Sequence, residues 1–150
     1  MRRTLCALAL AAFAFTANAF NNTPETRFLL DQMAAKASKV RFEASEMAGH
    51  LKKRDANLAL VEVRMGLLDQ NAEELKKLLA EYEANATPAS PELLSKLREA
   101  VAAINLAVDR KQELLFGPSA EKHRKTIRSQ AQETVELSQT VRQLTTRLAE

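Results

Sequence analysis

Four segments of this chain repeat apolar residues in alternating steps of three and four, and that spacing limits the fold more than any other feature. The first segment runs Leu30, Met33, Ala37, Val40, Ala44, Met47 and Leu51. The second runs Leu58, Val61, Met65, Leu68, Ala72, Leu75, Leu79 and Tyr82. The third is Leu94, Leu97, Val101, Ile104, Val108, Lys111 and Leu115, with Lys111 its one charged intruder. In the last the best stripe is Ile127, Gln130, Thr134, Leu137, Val141, Leu144 and Leu148. Such steps put each set on one side of a helix, at the period that supports side-by-side packing. The expected fold is all-α: an antiparallel, coiled-coil-like up-down-up-down four-helix bundle, with helices near 24–54, 56–85, 91–116 and 119–149.

The helix ends carry their own chemistry. Thr23-Pro24-Glu25 and Ser90-Pro91-Glu92 each offer a hydroxyl N-cap, a proline where no N–H is needed, and a carboxylate at the positive helix end. Leu115-Phe116-Gly117-Pro118 reads as the matching stop, and Ser119 with Glu121 as the next start. Only the boundary between the first two segments lacks Pro or Gly. There Lys52-Lys53-Arg54 suits a helix C-terminus and Asp55 an N-cap, so a turn near Asp55 is the favoured reading. The alternative is one continuous helix of about 60 residues, roughly 90 Å long, whose uncovered seam would make a dimeric coiled-coil rod.

The first nineteen residues follow a different pattern. Met1-Arg2-Arg3 is basic, Leu5 to Ala14 is almost wholly apolar, and Ala17-Asn18-Ala19 is small-x-small. That order describes a bacterial-type secretory signal peptide cleaved between Ala19 and Phe20, giving a periplasmic or secreted mature chain. Its apolar core is shorter than the roughly 20 residues a bilayer span needs, and no later run is long enough. Cleavage would remove Arg2, Arg3 and the lone Cys6, leaving 20 basic against 19 acidic residues. A net charge of +3 thus falls to +1, which gives no reason to expect nucleic-acid binding. Residues 25–54 carry a net +3 and residues 55–86 a net −4, so neighbouring helices attract.

Catalysis needs convergent polar groups in a concavity, and nothing here supplies a nucleophile elbow, a glycine-rich loop or a paired-carboxylate motif. The chain is therefore expected to be no enzyme, to carry no resident cofactor, and to act by binding another macromolecule. Chaperone-like, adaptor or envelope-associated roles fit, and the partner is another protein, the envelope or a second copy. The alternative is a haem or metal held in the bundle. His50 closes the first helix and His123 opens the fourth, ends that an up-down bundle brings together. Met47 lies one turn before His50, so His50, His123 and Met47 are the candidate cofactor ligands. Glu46 and Glu121 join His50 and His123 as candidate metal ligands.

The plan resembles the soluble b-type cytochromes, exported four-helix haem proteins. The resemblance implies a Met ligand early in the first helix and a His late in the fourth. Met33 stands at the matching Met place, but Ile127 to Glu150 contains no His, so the likeness is architectural and carries no residue across. The fourth helix is rich in Ser, Thr and Gln, with Gln130 and Thr134 on its inward stripe. Polar residues in a seam weaken packing, so this helix is expected to be the most loosely held.

Overall fold

A computed structural model of the chain describes residues 22–86, 90–115 and 120–150, the side chains at 120 and 121 apart. The proposed signal peptide, Gly117-Pro118 and Ser119 lie outside these residues. Those described form four helices and no strand: α1 (Pro24–Lys52), α2 (Leu58–Asn85), α3 (Pro91–Leu115) and α4 (Ala120–Ala149). The helices pack as a ring, α1 and α3 each touching α2 and α4, with no Cα atoms of a diagonal pair within 8 Å. Contact is most extensive between α1 and α4 and least between α2 and α3.

The capping residues act as their chemistry dictates. Thr23 Oγ1 accepts from the Thr26 amide at 3.2 Å, and Pro24 occupies the first helical position. Ser90 Oγ accepts from the Leu93 amide at 3.2 Å. Between α1 and α2 the chain does break, so the uninterrupted 24–85 helix is not formed. The N-cap, however, is Asn57 and not Asp55: its Oδ1 accepts from the Leu60 amide at 3.3 Å. A cap must directly precede the first helical residue, and here that residue is Leu58. Lys53 has already turned to extended backbone, φ −71° and ψ 143°, with its amide on the His50 carbonyl. The free carbonyls at this end are met from α4. Arg124 Nε donates to Leu51 O at 3.0 Å and Nη1 to Arg54 O at 3.2 Å. At the opposite end of α1, Asn22 Nδ2 donates to Leu148 O at 2.6 Å.

The apolar stripe of α1 is buried at every position from Leu30 to Leu51, and that of α2 from Val61 to Tyr82. In α3 it is buried from Leu97 to Leu115, Lys111 included. The register of α4 differs from the expected one. Its buried line is Ile127, Ala131, Thr134, Ser138, Val141, Thr145 and Leu148, with Leu144 beside it, while Gln130 and Leu137 are only partly buried. Small residues at 131 and 138 let α4 lie close to its neighbours. Its hydroxyls enter the core already satisfied by their own helix: Ser138 Oγ donates to Thr134 O at 2.6 Å and Thr145 Oγ1 to Arg142 O at 2.9 Å. These hydroxyls therefore need no water partner in the seam.

Candidate functional site

At the end where α1 finishes and α4 begins, Arg124 ties the two helices together, which places His50 and His123 at the same end of the ring. Each imidazole is partly buried. His50 Nε2 lies 3.9 Å from Glu46 Oε2, and the same oxygen lies 3.9 Å from Arg64 Nη2 on α2. Glu46 Oε2 therefore stands between an imidazole and a guanidinium. Met47 is fully buried in the core. The Glu121 side chain lies outside the described residues. Among the described residues no three His, Cys, Asp or Glu side chains gather as a metal site.

Beside Glu46, Arg64 forms the main polar link between α1 and α2. Its Nη1 donates to Glu43 Oε2 at 2.9 Å, on a carboxylate that is itself buried. Its guanidinium also stands 5.5 Å from the centre of the Phe42 ring. Arg64 Nε is buried without a hydrogen-bond acceptor among the described residues. Farther along, Lys36 pairs with Glu74 and donates to Asn71 Oδ1 at 3.5 Å.

Lys111 is the most unusual titratable group. It is 0% exposed, and its ammonium donates to Thr134 Oγ1 at 2.6 Å and Gln130 O at 3.3 Å. Burial pulls its pKa down to about 8, against an opposing pull from the Glu133 carboxylate. Among the described residues its hydrogen bonds go to a hydroxyl and a carbonyl, and Glu133 helps to hold the charge from a distance. Its neighbour Gln130 keeps a buried Oε1 without a donor among the described residues. A lysine so enclosed has no visible access for a substrate, and the arrangement is that of a core polar link.

A surface feature with a mostly apolar lining lies elsewhere. Where α2 and α3 pack least closely, a groove of about 360 Å³ opens between them. Leu79, Val101, Ala102 and Leu106 give it an apolar lining, and Leu106 is 51% exposed. Lys76, Arg98, Asn105 and Asp109 stand around it. Arg98 is anchored across the gap, Nη2 to Glu83 Oε1 at 2.7 Å. The heptad reading missed this site because it sought inward residues. The available signal was the opposite one: Ala102 and Leu106 are apolar at positions of α3 that the core stripe leaves facing out.

No family model, curated protein or solved structure matches this chain.

Proposed function

We propose that this chain is an exported, non-enzymatic helical protein that works by binding an amphipathic segment of another polypeptide in the α2–α3 groove. The observation that carries the reading is the apolar lining of that groove with Leu106 half in solvent, bordered by charges of both signs. An apolar segment gains by covering the lining, while Lys76 and Asp109 select the polar edges that accompany it. Export is supported by the basic, apolar and small-residue order of residues 1–19. The end-to-end pairings of Asn22 with Leu148 and of Arg124 with Leu51 support antiparallel, up-down-up-down helices.

The test places a photoreactive residue at Leu106 in the native host and a control at exposed Glu136. Discrete adducts from position 106 only, abolished by Ala102→Glu with the helical spectrum intact, are expected. Adducts that are equal at both sites, or absent at both, would sink the reading. Terminal sequencing of the exported protein is expected to begin at Phe20, and an intact Met1 terminus would refute the export step.

A further inference from the structure

We infer that the outward face of α1 is a self-complementary interface on which a second copy of this chain docks, α1 against α1 and antiparallel. The surface lies across the ring from α3, so the inference goes beyond the groove reading and stands or falls apart from it. The core stripe of α1 leaves one row pointing directly away: Phe28, Ala35, Phe42 and Gly49, spaced by seven. In a helix with only one partnered side such a row is normally charged, because it faces water. Here all four residues are exposed and none is charged, with Phe28 at 61% and Phe42 at 53% exposure. Ser38 and Ser45 run alongside, and Ser38 Oγ is spent on its own helix, donating to Ala34 O at 2.9 Å.

The order of sizes along the row identifies the occupant. Large and small residues alternate, so an antiparallel copy centred near residues 38 and 39 sets Phe28 against Gly49 and Ala35 against Phe42, at both ends. Every ring then meets a residue small enough to receive it. A parallel copy would set ring on ring and glycine on glycine. The space at Gly49 is open, with nothing within 4 Å of where a Cβ would stand. Phe42 is held ready by Arg64, which lies over its ring and is fixed in turn by Glu43.

Charge agrees with size at the two ends of the row. In the same register, Asp31 of the second copy comes level with Glu46 and within one residue of Ser45, beside a hollow of about 270 Å³ flanked by Arg41 and Arg142. Glu25 comes level with Lys52 of the second copy at each end. Lys39 lies within one residue of its own counterpart at the axis, so like charges approach there and where Asp31 is level with Glu46. The helix offers roughly 40 Å by 10 Å, or about 400 Å² per copy. The total of about 800 Å² falls short of the roughly 1,200 Å² of stable complexes, so a weak, concentration-dependent dimer is expected.

Sedimentation velocity of the purified protein from about 1 to 500 µM tests this. The expected result is a concentration-dependent approach to twice the monomer mass. Gly49→Gln, which meets open space in the monomer, should keep the helical spectrum and weaken dimerisation at least tenfold. Ala35→Phe alone should weaken it similarly, and Ala35→Phe with Phe42→Ala should restore it, because the exchange again sets large against small. Lys39→Ser should strengthen it. A strictly monomeric mass throughout would overturn the inference, as would a dimer indifferent to Gly49→Gln and to the exchange.

Discussion

Lys111 shows how a single side chain can be tolerated in a core without being favoured there. A lysine whose folded pKa lies below its unfolded value binds protons less readily when folded. The penalty is therefore present in full below about pH 8 and disappears as the pH rises through the ordinary lysine value. A depression to about 8 from 10.5 corresponds to about 3 kcal/mol. Lys111→Met, which keeps the length of the stem and deletes the charge, should unfold at higher urea at pH 7 by about 2–3 kcal/mol. The advantage should shrink steadily between pH 8 and 10.5, and an advantage that stays constant would mean that charge burial is not its source. Lys111 was legible in the sequence as an intruder in an apolar stripe. Its pairing with Thr134 was not, because that depends on how α3 and α4 align along their length, which packing sets. The histidines were legible as end residues, whereas the place of Glu46 between His50 and Arg64 depends on how closely α2 approaches.

At the scale of helices, capping chemistry was read almost to the residue and register less well. Thr23 and Ser90 cap as their sequences imply, since those signals are local and need no neighbour. The α1–α2 boundary offered two acceptors, Asp55 and Asn57, and the choice fell to the one next to Leu58. Asn57→Ala should accordingly cost about 1 kcal/mol in thermal or urea unfolding, while Asp55→Ala should stay within about 0.5 kcal/mol. Equal losses would return the cap to Asp55. In α4 the stripe through Gln130 and Leu137 and the buried line through Ala131 and Ser138 both advance by threes and fours. Hydrophobicity favours the former. Close approach favours the latter, because small side chains admit a neighbouring helix and hydroxyls can be satisfied within their own turn.

For the molecule as a whole, the four-helix content follows from the spacing of apolar residues, whereas the strengths of the seams do not. The polar α4 was expected to be the loosest helix, yet its contact with α1 is the most extensive and the α2–α3 contact the least. Opening should therefore begin at the groove. Hydrogen exchange is expected to reach the α2 and α3 amides beside Leu79 and Leu106 before the central amides of α1 and α4. Faster exchange in central α4 would restore the original expectation. The apolar groove and the outward row of α1 were written in the sequence as apolar residues at outward positions, but their meaning appears only once the ring shows which sides are left uncovered. Among the described residues no helix is long and apolar enough to cross a membrane.

The closest of the four seams joins the first helix to the last, with Asn22 bonded to Leu148 across almost the whole length of the chain. It is consequently the last seam that synthesis can complete. A nascent chain that has reached only α3 carries α1 with its widest mate missing, and closing the loop from α1 to α4 adds a slow, long-range step even after α4 is made. For the export proposed above, this order is useful, because a chain still lacking α4 keeps its most extensive seam open and stays threadable.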